Sequence, residues 1–218
     1  MKKLILLLLV GFVCISKPFF SSLLDTQYIK EVLTAHASWA DSHAAENDYL
    51  GVGLLYYTLV YIAKAKTCVC LGSGGGFVPR LIRQAQRDLN ISNAETILVD
   101  GNMGNYGRPD WLCDDSFFKQ QFPDIQIITD TTYNALTTIK LKNRIDYLHV
   151  DADHSLAGVL EDFENYLPFM SEHGIITFHD TAGNLPCAEI VNILRCRGHQ
   201  ITNFRLFGAG TALLYLDD

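Results

Sequence analysis

The sequence predicts one α/β domain: a doubly wound, mostly parallel, seven-stranded sheet with helices on both faces and an antiparallel C-terminal hairpin. Three observations predict it. Short apolar runs alternate with helix-period segments over residues 66–218. The first run, Thr67-Cys68-Val69-Cys70-Leu71, is continuously apolar and cut off by glycines, the pattern of a strand buried on both faces. Gly208 and Gly210 separate the last two strands, where the chain can reverse into a hairpin.

The elements follow in order. Residues 23–65 form an N-terminal helical region: 24–47 are helical in tone, and Leu54, Leu55, Leu59 and Ile62 give a second helix over 50–65. After the strand at 67–71, Phe77 to Leu89 reads as a helix, with Pro79 tolerable in its first turn. Strands are expected at Thr96–Val99, Ile125–Thr129, Ile145–Val150 and Ile175–Phe178. Helices are expected at Thr132–Ile139, Leu156–Met170 and Cys187–Cys196. The closing strands are Ile201–Leu206 and Ala212–Tyr215. A polar, glycine-containing stretch from Gly101 to about Asp115, with Tyr106, Arg108 and Trp111, reads as a loop placed to form a lid or a substrate wall.

The 218 residues suit one domain. Hydrophobic residues make up 49% and charged residues 19%, ordinary globular chemistry. A net charge of -7 repels phosphate backbones, so nucleic acid is not an expected partner. Six cysteines are present without a C-x-x-C pair, so neither a zinc site nor a disulfide framework is expected. Cys68 and Cys70 would share one face of their strand as buried thiols.

Residues 1–22 are a separate problem. Two lysines precede an apolar run from Leu4 to Ile15, the form of a signal peptide or a membrane-associated helix. As a helix that run spans about 18 Å, short of a bilayer core of about 30 Å. Membrane association through residues 4–20, or export, is the expectation; packing on the chain's own domain is the alternative.

The chemistry starts at Gly72-Ser73-Gly74-Gly75-Gly76, between the first strand and its helix. Such a turn offers backbone N–H groups at a helix N-terminus and lets a ligand come close. The dinucleotide pattern G-x-G-x-x-G fails, because Phe77 and Pro79 stand where its last glycine belongs, which counts against a nicotinamide-dependent oxidoreductase. No P-loop Gly-Lys-Ser/Thr is present either. Asp100 closes the next strand, where an acid reaches ribose hydroxyls. Asp130 and Thr131 close the third strand, where a carboxylate can accept from an adenine amino group; a helix N-cap is an equal reading.

The strings V-C-L-G-S-G-G-G-F, I-L-V-D and I-I-T-D-T resemble the successive cofactor motifs of class I S-adenosylmethionine-dependent methyltransferases, a Rossmann-like family. The stretches H-V-D-A-D-H-S-L-A-G-V-L-E-D-F and G-I-I-T-F-H-D-T narrow the resemblance to the small metal-assisted O-methyltransferases, among them sugar, macrolide and catechol-type enzymes. It runs from about Leu50 to Leu216. It implies S-adenosylmethionine at Gly72, Ser73, Gly74, Gly76, Asp100, Asp130 and Thr131, and Mg²⁺ or another divalent metal.

Asp151 and Asp180 end adjacent strands on one sheet edge, and hard oxygens with room for water suit Mg²⁺. By the resemblance, both are metal ligands and Asp151 also serves catalysis. Asp153, His179 and Thr181 are candidates for the third ligand, His179 foremost. Related enzymes often carry a carboxylate or amide where His179 or Thr181 stands, and a histidine there leaves a transition metal open. His154 falls where a general base would sit. His149 and His173 read as structural, and Asp153 or Ser155 as caps of the following helix. The implied reaction is methylation of a hydroxyl on a small molecule or sugar. The alternative is a degenerate member that binds a nucleotide-like ligand or a protein at a membrane.

Overall fold

β1 (Thr67–Leu71) is buried along its whole length. Alternation sends Cys68 and Cys70 into one apolar layer and Val69 and Leu71 into the other. The computed structural model describes residues 25–103, 108–205 and 207–217. The expected hydrophobic segment over residues 1–22 lies outside them. Among the described residues no helix is long and apolar enough to cross a membrane.

The remaining strands are β2 (Glu95–Val99), β3 (Ile125–Ile128), β4 (Ile145–Val150), β5 (Met170–His179), β6 (Ile201–Phe204) and β7 (Thr211–Tyr215). They form a seven-stranded sheet in the order β3-β2-β1-β4-β5-β7-β6. The first five are parallel; β7 pairs antiparallel with β5 on one side and β6 on the other. The predicted fold class, including the antiparallel hairpin, is the one observed.

Helices cover both faces. They are α1 (Thr26–Tyr28), α2 (Gly53–Ala63), α3 (Phe77–Asp88), α4 (Phe117–Gln121), α5 (Thr132–Thr138), α6 (Leu156–Tyr166) and α7 (Ile190–Cys196). Tyr56, Val60, Leu81 and Ile82 of α2 and α3 pack on the Cys68/Cys70 face. Val159, Phe163, Ile190 and Leu194 of α6 and α7 pack on the other. Each large apolar side chain so buried contributes about 1.5–3 kcal/mol. Strand order reverses between β1 and β4, and the carboxyl ends beside that switch point are where open α/β sheets bind ligands.

Three local expectations are corrected. The helix expected over 156–170 ends at Tyr166, because Pro168 has no N–H to continue the ladder; Leu167–Phe169 tighten into a 3-10 turn. The strand then begins at Met170, earlier than expected. The stretch after Asp115, outside any predicted element, forms α4, capped by Ser116 accepting from the Lys119 amide.

The helical reading of 24–47 meets the largest correction. One turn of helix widens into a π-helix at Ile29–Leu33, and the chain then runs irregularly to a 3-10 turn at Ala40–His43. Tertiary contacts override local preference there. Fully buried Arg80 on α3 donates from Nη1 to the Val32 and Ala35 carbonyls. The Gly75 amide donates to Ser38 O at 3.0 Å. The segment is thus bound across the glycine turn.

Candidate functional site

The β1–α3 turn begins at Gly72, with φ +72°. A Cβ there would lie 2.1 Å from the Asp151 carbonyl oxygen. The glycine therefore lets the end of β1 cross against the end of β4. Gly76 (φ +85°) is the N-cap of α3, and a side chain on it would collide with Phe118. Gly76 does not line the cleft, so its part is to shape the turn. The indole of buried Trp111 donates to Gly74 O at 2.8 Å. Trp111 is a prop under the turn, not the substrate wall expected of it. Tyr106 lies outside the described residues.

Asp100, at the end of β2, accepts from the Ser73 amide at 3.0 Å and the Asn102 amide at 2.8 Å. Burial raises its pKa above the ordinary carboxylate value despite those bonds. The Ser73 hydroxyl is buried and has no hydrogen-bond partner. Asp130 accepts from the Thr131 amide and Asn134 Nδ2, while Thr131 Oγ1 caps α5 by accepting from the Asn134 amide. The capping reading of Thr131 thus holds, and both residues also border the cleft.

That cleft has a volume of about 880 Å³. It reaches from Gly72, Ser73, Gly74 and Asp100 at one end to Asp151, His154, His179 and Asp180 at the other. Asp151 follows β4 and Asp180 follows β5, in a left-handed conformation with φ +57°. Left-handed backbone in a non-glycine residue is a strain held by surrounding structure and clusters at functional sites. His154 Nε2 stands 3.1 Å from Asp180 Oδ2 and 3.7 Å from Asp151 Oδ1. His179 Nδ1 is 3.1 Å from Asp151 Oδ1 and 3.4 Å from Asp180 Oδ1.

The other candidates separate. Thr181 is buried and donates to Asn203 Oδ1 at 2.8 Å, outside the cleft lining. Asp153 accepts from the Ser155 amide, and Ser155 Oγ caps α6. His173 stacks on Tyr215, away from the cleft, as a structural residue. His149 is buried in β4, but its Nε2 points toward Asp151 Oδ2 at 3.8 Å. Sequence reasoning passed over His43, whose Nε2 is 3.9 Å from the same oxygen. No motif marks it: it lies in an aperiodic segment whose place is set by contacts far along the chain.

The electrostatics are those of one carboxylate among imidazoles. Burial would raise Asp151, but the charge and hydrogen bond of His179, with the rings of His149 and His154 close by, hold it well below the carboxylate range. Burial opposes the charged form of His179, yet Asp151 and Asp180 carry it to about 10. The carboxylates of Asp151 and Asp180 raise His154 against burial. Burial pushes His43 and His149 down, leaving them neutral. Two donor sets are close enough to hold a cation, His43/Asp151/His179 and Asp151/His154/Asp180; within each, the ligand atoms lie within 4.8 Å of one another. With His179 or His154 giving up its proton to the incoming ion, carboxylates and imidazoles of this kind fit a divalent metal.

Residues 69–181, just over half of the chain, match the methyltransferase-domain family. The chain belongs to that family. This methyltransferase-domain chain is 28% identical over 145 residues, 65% of its length, to an uncharacterised protein of Sinorhizobium fredii; the match takes in only 16% of that relative. Its fold is that of solved methyltransferases. An O-methyltransferase of Bacillus cereus, in complex with SAH, matches with a TM-score of 0.60 at 13% identity, over 88% of this chain and 96% of that one. A Podospora anserina methyltransferase bound to SAH matches at 0.60 and 16%, over 86% and 88%. TomG of Streptomyces achromogenes, an O-methyltransferase of tomaymycin synthesis in complex with SAM, matches at 0.57 and 12%, over 89% and 96%.

Proposed function

We propose that this methyltransferase-domain protein methylates a hydroxyl of a small molecule or sugar, using S-adenosylmethionine and a divalent metal. One observation carries the reading. A single cleft joins a glycine turn with an acid at the end of the next strand to a carboxylate–histidine centre that can bind a cation and accept a proton.

The roles follow from position. The unpartnered Ser73 hydroxyl in the Gly72–Gly74 turn would receive a polar group of the cofactor, Asp100 would take its ribose hydroxyls, and Asp130 with Thr131 would border its base. Asp151, Asp180 and His179 would hold the metal. When bound, S-adenosylmethionine would supply the methyl group and the metal would lower the pKa of the acceptor hydroxyl. His154 takes the hydroxyl proton at Nε2, and Asp180, 3.1 Å away, stabilises the imidazolium. The oxygen–carbon bond forms as the sulfur–carbon bond breaks, with the electron pair leaving on sulfur. The cleft walls hold donor and acceptor in line, which supplies much of the acceleration of a displacement.

Calorimetric titration of the full chain with S-adenosylmethionine and S-adenosylhomocysteine, with and without divalent metal, tests the reading. Micromolar binding followed by metal-stimulated methylation in an acceptor screen is expected. Absence of binding in every condition overturns it. Tight binding without turnover of any hydroxyl acceptor supports the non-catalytic alternative instead.

A further inference from the structure

Asp151 is surrounded by more imidazole than one carboxylate can use. His179 Nδ1 lies 3.1 Å from Oδ1; His43 Nε2 and His149 Nε2 lie 3.9 and 3.8 Å from Oδ2. Only the first is a hydrogen-bond distance. His149 Nε2 is buried without a hydrogen-bond partner. Unsatisfied polar atoms in a dry interior are costly. The wider spacings are those of ligands around an ion. Two donors about 2.1 Å from a tetrahedral metal lie about 3.4 Å apart; His179 Nδ1 at 3.1 Å from Oδ1 and His43 Nε2 at 3.9 Å from Oδ2 lie on either side of that distance, and one ligand atom from each of the three residues falls within 4.8 Å of the others.

The outer ring nitrogens are fixed as well. His43 Nδ1 is 3.2 Å from Tyr56 Oη, which is 2.7 Å from Thr211 Oγ1. His179 Nε2 is 3.4 Å from Ser42 O. Metal-binding histidines show this arrangement: one nitrogen toward the ion, the other held by an oxygen that sets ring and tautomer. The turn that carries His43 is held between left-handed Trp39 and Ala44. The Val52 amide donates to His43 O and the Ala209 amide to Ser42 O.

We propose that His43, supplied by the segment ahead of α2, is a metal ligand beside His179 and Asp151. Two imidazoles and a carboxylate select a borderline transition ion over Mg²⁺, which prefers oxygen alone. The N-terminal segment therefore completes the metal centre as well as covering the glycine turn. The inference rests on the reading of the Asp151 centre as a metal site, and not on the identity of the acceptor.

The test is Co²⁺ titration of the chelator-stripped full chain, followed by visible absorption and calorimetry, without cofactor. The wild type should bind Co²⁺ with ligand-field bands, and Mg²⁺ should not displace it. His43→Ala should lower Co²⁺ affinity by about tenfold or more and change the bands. His154→Ala, which removes a donor only from the Asp151/His154/Asp180 set, should leave the affinity unchanged. Should His43→Ala fail to fold by circular dichroism, His43→Asn preserves an atom for Tyr56 while removing Nε2. Wild-type Co²⁺ affinity in the His43 variants, loss in His154→Ala alone, equal competition by Mg²⁺, or no Co²⁺ binding overturns the proposal. S-adenosylmethionine affinity is measured on the same proteins. Normal cofactor binding without Co²⁺ binding sinks this inference alone; Co²⁺ binding without cofactor binding sinks only the proposed function.

Discussion

The two ends of the cleft are built by different means. At the glycine-turn end, backbone does the work: the amides of Ser73 and Asn102, one from each of two neighbouring strand ends, face Asp100, and the ligand-facing atoms come from the ends of neighbouring parallel strands. At the other end, side chains converge from distant parts of the sequence, with His43, His149, His154 and His179 around Asp151. A backbone site needs a local pattern of glycines and an acid. A side-chain site needs the whole fold, because no neighbouring residue fixes where an imidazole points. The ends meet at Gly72, whose missing Cβ makes room for the Asp151 carbonyl.

That meeting point gives the strongest way to break the comparison. Gly72→Val places a branched side chain against the Asp151 backbone at a left-handed φ. Strain and displacement should cost about 3 kcal/mol or more, seen as a lower denaturant midpoint, and both cofactor and metal binding should be lost together. If only cofactor binding falls, the two ends are independent and the coupling through Gly72 is wrong.

The next effect is confined to one end. His154→Ala should lower kcat by about 10²–10⁴-fold with S-adenosylmethionine affinity unchanged, because His154 pairs with Asp180 and touches none of the turn amides. A rise in KM at constant kcat would instead make His154 a binding residue.

The same contrast sets what was legible in the sequence. Strands β1 and β4 have the predicted bounds, because buried parallel strands bracketed by breakers announce themselves. Glycines and strand-ending acids placed Asp100, Asp151 and Asp180 at the cleft, since strand ends on one sheet edge are a consequence of topology. His43 was not legible. Its position depends on Arg80 and Gly75 holding residues 32–38, and neither residue signals that partner in its local pattern. The part Trp111 plays, a prop under the glycine turn, likewise emerges only from contacts, whereas the capping of α5 by Thr131 was legible in the sequence.

The smallest expected effect sharpens the comparison on the cleft wall contributed by α6. Asp162 is buried there, and its Oδ2 has no hydrogen-bond partner. Burial, reinforced by Asp153 and Glu161 against a bond from Thr132, raises its pKa from 3.8 to about 6. The sign follows from the folded value lying above the unfolded one. Below 3.8 both states hold the proton and no stability is lost. Between 3.8 and 6 the unfolded chain releases it first, so stability falls, and above 6 the loss is complete. Asp162→Asn has no proton to release, so it should be more stable than the wild type by about 2–3 kcal/mol at pH 8, with the gap narrowing toward pH 4. Denaturant midpoints at the two pH values decide it. A gap equal at both would assign the effect to packing instead of charge. A cationic ligand beside the carboxylate stabilises its ionised form. Saturating S-adenosylmethionine, a sulfonium, should therefore shrink the pH 8 gap more than neutral-sulfur S-adenosylhomocysteine does, if the α6 wall faces the cofactor.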